Sequence, residues 1–166
     1  MTWWLRGAAP MRFGMILSLA MVAALAGCES LSNLPVNIPG VTAGPTDEEQ
    51  IISLLQDVHR GMQSRRVFKV LAHVSRTYQD DTGRDYDMLE HYVTELFRNY
   101  KEIEITRVRP KVLVQGDAAR AIETFGSRAV PFNENDHRPL EVHGQMNIYL
   151  QRFGNEWKIV EWGRVY

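Results

Sequence analysis

Two glutamates in the last third of the chain have a spacing that suits acid–base or hydrogen-bonding chemistry. Glu123 lies in the segment ARAIETF (119–125), and Glu161 lies in WKIVEW (157–162). Both segments follow the period-two pattern of a β-strand, which places every second side chain on one face of a sheet. Each glutamate therefore shares a face with the apolar residues two and four positions before it.

That apolar face is expected to pack on helices, so both carboxyls are predicted to point toward the interior. Ala119 and Ala121 are small and leave space beside Glu123 that larger side chains would fill. A carboxylate in such a place must pair with a cation or stay protonated. Two roles remain open: an arginine-paired structural acid, or a pocket group that binds a ligand or transfers a proton. We predict Glu123 and Glu161 as ligand-binding residues that border one cavity.

Cys28, the single cysteine, ends an apolar run. The 13 residues of Met15–Gly27 carry no charge and follow Arg6 and Arg12. A membrane-spanning helix needs roughly 20 apolar residues, so this run matches the core of a secretory signal better. The segment LAGC (25–28) resembles the lipobox of bacterial lipoproteins. The resemblance implies a diacylglyceryl group, and so palmitate, on the Cys28 thiol, and cleavage just before that residue.

The lipobox implies a chain anchored in a bacterial cell envelope by its acyl chains. Residues 1–27 would be the lipoprotein signal peptide, and residues 28–46, with three prolines and two glycines, a flexible tether. Glu29 stands where an aspartate tends to retain lipoproteins of enteric bacteria at the inner membrane. This favours the outer membrane, with the domain facing the periplasm.

The other polar residues form no catalytic, metal-binding or cofactor motif. The five histidines lack metal-ligand spacing, and one cysteine cannot complete a zinc site, so each histidine is expected at the surface or partly buried. The acids of DDTGRDYD (80–87) lack the bidentate glutamate of an EF-hand, which favours a solvated loop. Phosphate-binding and serine-hydrolase motifs are missing. Basic and aromatic residues do not interleave, and the formal net charge is −1, so nucleic acid is not expected as a partner.

Three helices are predicted in the first half of the domain. The capping box TDEE (46–49) starts the first, whose apolar residues recur at helical spacing. A second, shorter helix is predicted around Val67–Val74. The third is predicted from an N-cap at Asp85 to about Lys101.

Strands joined by turns are predicted from Glu102 onward, where the apolar period changes to two. Turns at 115–118, 133–137 and Gly154-Asn155 separate them. Helices grouped before an antiparallel sheet make an α+β domain, here residues 47–166, with the three helices packed on one face of the sheet.

This order of elements resembles that of the nuclear transport factor 2-like superfamily, which includes ketosteroid isomerase. The resemblance rests on the segments YQDDTG (78–83), EIEI (102–105), VLVQGDAARA (112–121) and LQRFGNEWKIV (150–160). It implies a cone of helices and a curved sheet around a pocket that is open at one end. That fold serves isomerases, dehydratases, transport adaptors, secretion components and binding proteins, so it does not decide the function. No catalytic residue of the family can be carried over to a position here.

The function expected from the sequence is that of a lipid-anchored envelope protein. Its periplasmic domain would bind an apolar small molecule or an envelope protein. The alternatives are an isomerase- or dehydratase-type enzyme that uses a pocket carboxylate, and a subunit for secretion or envelope assembly. Tyr149, Val160 and Trp162 are expected on the outer face of the sheet, and exposed aromatic surface there predicts a homodimer.

Overall fold

Three helices precede five strands in residues 44–166, the part of the chain that the computed structural model describes. Cys28, the predicted signal peptide and most of the predicted tether lie outside the described residues. The helices are α1 (Asp47–Gln63), α2 (Val67–Leu71) and α3 (Tyr86–Asn99). The strands are β1 (Tyr100–Arg107), β2 (Lys111–Gln115), β3 (Ala118–Pro131), β4 (Leu140–Phe153) and β5 (Glu156–Trp162). None of the helices described is long and apolar enough to cross a membrane.

The two predicted helix starts are confirmed by their caps. The hydroxyl of Thr46 accepts a hydrogen bond from the backbone N–H of Glu49 at 3.3 Å, and the Glu49 carboxylate accepts from the backbone N–H of Thr46 at 2.8 Å. Asp85 accepts from the backbone N–H of Met88 at 2.9 Å. These bonds satisfy N–H groups that the first turn of a helix leaves without partners.

Helix α2 ends earlier than predicted, at Leu71 instead of Val74. The chain after α2 pairs with an edge strand of the sheet. The N–H of Ile159 donates to the carbonyl of His73, and the N–H of Ser75 donates to the carbonyl of Ile159, both at 2.8 Å. Backbone groups that bond to a strand cannot also continue a helix, so this contact ends α2.

The sheet is antiparallel, in the order β1-β3-β4-β5, and β2 pairs with the first part of β3. β3 is the central strand: its first half pairs with β2, its second half with β1, and its whole length with β4. A two-residue turn at Gly116-Asp117 joins β2 to β3, and Gly116 has the positive φ of +58° that such a turn requires. The predicted α+β class is confirmed, with the helices on a curved antiparallel sheet.

The core lies between the helices and one face of the sheet. Alternate residues of the strands, among them Ala121, Ile148 and Ile159, are fully buried against Ile51 and Leu55 of α1. Residues 44–166 form a compact unit that contains this core. We therefore expect this segment to fold by itself.

A β-bulge at Val160 changes the register of the last hairpin. Leu150 pairs with Ile159 as the two-residue turn predicts, but Tyr149 pairs with Glu161 and Ile148 with Trp162. Val160 is thus the extra residue of β5, and the side chains after it change face. The expectation that Glu161 faces the interior and Trp162 the outer face is wrong, because each occupies the other's predicted face.

Candidate ligand-binding site

A cavity of about 440 Å³ lies between the helices and the inner face of the sheet. Its wall is mostly apolar, with Val58 from α1, Val93 from α3 and Ile103, Met146 and Ile148 from the strands. This volume is typical of pockets that take small molecules.

On the side of the sheet, the cavity wall carries a buried carboxylate, Glu123. The residue is 2% exposed, which confirms the predicted inward position. One carboxylate oxygen lies 3.1 Å from Nε2 of His59, and the other accepts a hydrogen bond from Nη1 of Arg107 at 3.3 Å. The arginine-paired arrangement considered for Glu123 is therefore present, with a histidine added.

Of the three side chains, two form part of the cavity wall. His59 and Glu123 line it, and the side chains of His59 and Arg107 are 14% and 19% exposed. In the neutral imidazole with its proton on Nε2, His59 donates to the carboxylate, and Nδ1 is left as an acceptor. Nδ1 of His59 is buried and has no hydrogen-bond partner among the described residues. A carboxylate with two donors still has free lone pairs, so Glu123 can accept a further hydrogen bond from a ligand.

His59 and Arg107 were not predicted as site residues, although the sequence contains a signal for each. His59 lies four residues after Leu55 and three before Met62, on the apolar face of α1. Arg107 follows Ile103 and Ile105 at the spacing of two that a strand face requires. Both polar residues thus continue an apolar face, which marks them as inward-facing.

Glu161 does not join Glu123 in the cavity. It is half-buried on the opposite face of the sheet, where it pairs with Tyr149, and it is not part of the cavity wall. Trp162 takes the inner position instead and packs edge-to-face on Tyr78, with 6.0 Å between the ring centroids. Glu161 is therefore not placed to bind a ligand in this cavity, whereas ligand binding by Glu123 stays a prediction.

The loop between α2 and α3 forms another part of the cavity wall, and a buried aspartate organises it. Asp80 accepts hydrogen bonds from the hydroxyl and backbone N–H of Thr82, at 2.6 and 2.9 Å, and from the backbone N–H of Arg84 at 2.9 Å. Burial by itself raises the pKa of Asp80, but these hydrogen bonds outweigh it, so the pKa lies below its ordinary value. Tyr78 donates to Asp80 at 3.3 Å, and burial raises the pKa of its hydroxyl.

Three of the four aspartates of residues 80–87 thus have separate structural roles. Asp80 is buried in the loop, Asp85 caps α3, and Asp81 forms an ion pair of 2.7 Å with Arg164. The expected solvated loop is correct for most of the segment but not for Asp80. Residues 44–166 contain no group of three or more histidine, cysteine, aspartate or glutamate side chains that could hold a metal ion.

Comparison with known proteins identifies the fold. No family model and no curated protein sequence matches this chain. Among solved structures, a proposed aromatic ring hydroxylase from Novosphingobium aromaticivorans superimposes with a TM-score of 0.62 at 17% identity, over 70% of this chain and 86% of that one. A nuclear transport factor 2-like superfamily protein from Salmonella enterica gives 0.59 at 14% identity, over 70% and 87%. The described domain has the nuclear transport factor 2-like fold.

The solved structures that superimpose on this domain are named for different reactions. A type 2 hexachlorocyclohexane dehydrochlorinase superimposes on this chain with a TM-score of 0.58 at 12% identity, over 69% of this chain and 80% of that one. At such identities the likeness establishes the fold alone, so the function must be argued from the side chains of the cavity.

Proposed function

We propose that the domain binds a mostly apolar small molecule in the cavity, with a hydrogen-bond donor of the ligand directed at Glu123. The observation that carries this proposal is an apolar cavity of about 440 Å³ whose wall contains a buried, ion-paired carboxylate. A mostly apolar wall provides affinity, and a few polar groups provide orientation, which is the usual division in small-molecule sites.

The cost of burying Glu123 supports a functional role. Removing a carboxylate and a guanidinium from water costs several kcal/mol per ion, and well-packed apolar residues in their place are often as stable or more so. Glu123, His59 and Arg107 are therefore not needed for a stable core. Binding of a ligand that needs a hydrogen-bond acceptor in an apolar cavity would explain why these three polar residues are present.

A second candidate function is an enzyme that removes a proton from its substrate, of isomerase or dehydratase type. The contact of 3.1 Å between His59 and Glu123 favours it, because a carboxylate that orients an imidazole is a common arrangement for general acid–base catalysis. A proposed hydroxylase and a dehydrochlorinase are among the solved structures that superimpose on the domain, which supports this candidate. Turnover of a bound compound that is lost in His59→Asn, while binding remains, would favour the enzyme over the binding protein.

The proposed location is the bacterial cell envelope, with acylated Cys28 in the outer membrane and the domain in the periplasm. The segment LAGC before a proline-containing stretch supports it. The predicted homodimer stays a proposal, with Tyr149 on the outer face but without Trp162, which lines the cavity. A subunit for secretion or envelope assembly remains the alternative that predicts a protein partner instead of a ligand.

The experiment is a ligand screen on residues 44–166 with two matched glutamine variants. We expect Glu123→Gln to weaken binding of a retained or screened compound by about 10- to 100-fold, since a hydrogen bond to a charged group contributes about 1.5–3 kcal/mol. Glu161→Gln makes the same chemical change on the other face of the sheet and should alter binding less than twofold. Native mass spectrometry detects a compound that co-purifies. Intrinsic fluorescence, to which Trp157 and Trp162 both contribute, should change on binding because Trp162 lines the cavity.

Two results would contradict the proposal. Equal affinity in the Glu123→Gln variant and the unmodified domain would show that the carboxylate does not contact the ligand. Failure to retain or bind any apolar compound, together with a stoichiometric protein partner, would favour the assembly subunit.

A further inference from the structure

A long stretch of the domain is basic and free of acids. Between Asp57 and Asp80 the chain contains no aspartate or glutamate but carries four arginines and one lysine. The whole chain has 19 basic and 20 acidic residues, so this stretch departs from the overall balance. The stretch includes the end of α1, the whole of α2 and the loop that follows α2.

The fold gathers part of this stretch around an open groove beside α2. The groove, called the α2 basic groove below, is lined by Arg65, Arg66, Phe68, Arg76, Phe153 and Lys158, among others. It is separate from the cavity that contains Glu123, and no residue lines both. Two aromatic rings are open to solvent there: Phe68 is 67% exposed and Phe153 is 42% exposed.

Much of the positive charge at the groove is not neutralised by the domain. Arg66 and Arg76 line the groove, whereas Lys69 is exposed on α2 next to Phe68 but outside the groove wall. None of the three forms an ion pair with another described residue, and Arg76 lies over the ring of Tyr86 at 4.0 Å. Arg65 donates to the backbone carbonyl of Tyr100 at 3.2 Å and keeps its charge.

Two acids lie near the α2 basic groove. Glu156 pairs with Lys158 at 2.9 Å, and Glu90 lines the groove. The groove therefore keeps a positive charge.

We propose that the α2 basic groove is a contact surface for an anionic phospholipid membrane. An exposed phenylalanine between Arg66 and Lys69 can enter the headgroup region while the cations contact the lipid phosphates. An acidic protein would also be attracted by the positive charges. Binding of an acidic protein does not, however, explain why a large aromatic ring is exposed between these cations. The exposed ring therefore favours a lipid surface.

The predicted tether is long enough to allow this contact. Helix α1 has 17 residues, so it separates the end of the tether from α2 by about 25 Å. Residues 28–46 reach up to ~60 Å when extended. The proposal rests on the proposed anchor at Cys28 for the presence of a membrane nearby, but the contact itself needs no acyl chain.

The experiment is sedimentation of residues 44–166 with lipid vesicles at low salt. This segment lacks Cys28, so its binding is independent of acylation, and circular dichroism shows that each variant is folded. We expect binding to phosphatidylglycerol vesicles and at least tenfold weaker binding to phosphatidylcholine vesicles. The triple variant Arg66→Gln, Lys69→Gln and Arg76→Gln should lose at least tenfold in affinity for the anionic vesicles, because each cation near such a surface contributes about fivefold.

A matched triple variant controls for net charge. Lys101→Gln, Lys111→Gln and Arg120→Gln remove three exposed cations elsewhere and should lose less than threefold. Phe68→Ser should lose about tenfold, because burial of the ring in the interface contributes to binding.

Three results would overturn the proposal. They are no binding to phosphatidylglycerol vesicles, equal losses in the two triple variants, and unchanged binding in Phe68→Ser. Tight binding to polyglutamate by a domain that ignores vesicles would assign the groove to an acidic protein partner. Loss of vesicle binding leaves acylation of Cys28 and ligand binding at Glu123 unaffected, so the proposals fail separately.

Discussion

At the scale of single residues, the main feature of the domain is a carboxylate buried between a histidine and an arginine. Glu123 is almost fully buried, whereas the side chain of Arg107 keeps about a fifth of its surface in contact with solvent. The loss of one partner therefore has a different cost from the loss of the other. A guanidinium left alone can still reach water, but a carboxylate left alone is confined to an apolar wall.

This difference predicts an asymmetric effect on stability. Arg107→Met should lower the free energy of unfolding by about 3 kcal/mol, because it leaves Glu123 buried with only His59 beside it. Glu123→Met should lower the free energy of unfolding by less than Arg107→Met does. The double variant Arg107→Met, Glu123→Met should recover most of the stability lost in Arg107→Met, because no buried charge remains without a partner. Urea unfolding of the four proteins measures the coupling. Additive losses in the double variant would show that the two side chains do not interact.

The sequence predicted the position of Glu123 correctly but not its partners. Alternation within β3 is local information, and it places Glu123 on the buried face. His59 is 64 residues away in the chain, and Arg107 is 16 residues away on another strand. Apolar periodicity showed the inner faces of α1 and β1, but which inward residues meet depends on how the helix crosses the sheet.

At the scale of elements, the bulge in β5 accounts for the error in the predicted site. Val160 is one of several β-branched or aromatic residues of the strand, and no glycine or proline marks it as the extra residue. The two-residue turn fixes the register only as far as Leu150 and Ile159. Every residue beyond the bulge changes face, which moves Glu161 out of the cavity wall and Trp162 into it.

The loop between α2 and α3 depends on Asp80, and this gives a prediction for stability as a function of pH. The pKa of Asp80 is lower in the folded domain than its ordinary value of about 3.9. Its ionised form therefore stabilises the fold above that pH, and this contribution is lost as the pH falls through the lowered pKa of the folded state. We expect Asp80→Asn to cost about 2 kcal/mol at neutral pH. The difference in the free energy of unfolding between Asp80→Asn and the wild-type domain should shrink below about pH 4.

Asp87→Asn provides a matched control for this prediction. Asp87 is an exposed aspartate near the same loop and forms no ion pair with a described residue. Its replacement should change the free energy of unfolding by about 0.5 kcal/mol or less. Thermal unfolding from pH 3 to pH 8 compares the three proteins. A difference between Asp80→Asn and the unmodified domain that stays constant over this range would show that ionised Asp80 does not stabilise the loop.

At the scale of the whole molecule, the order of elements could be predicted from the sequence, and the chemistry of the cavity could not. Caps, turns and apolar periods are local, and they predicted three helices followed by an antiparallel sheet, as the structure has them. The cavity is formed by residues from all three helices, the loop between α2 and α3, and four strands, so its wall exists only in the folded chain. The solved structures that superimpose on the domain are named for different reactions, so the fold does not supply the missing chemistry.

The whole molecule also includes its proposed attachment to the membrane, which depends on one thiol. Cys28→Ser should remove incorporation of labelled palmitate completely and leave residues 1–27 uncleaved, because the diacylglyceryl group is attached to the sulfur before cleavage. A single acyl chain holds a protein in a membrane only marginally, whereas two or more hold it stably. The mature, acylated wild-type protein should therefore remain in the membrane fraction.

The double variant Cys28→Ser, Ser30→Cys is the matched control: it restores a cysteine two residues away, outside the LAGC segment. That variant should stay unlabelled as well, which separates the lipobox from simple modification of a thiol. Labelled palmitate in either variant would show that the lipobox assignment of Cys28 is wrong.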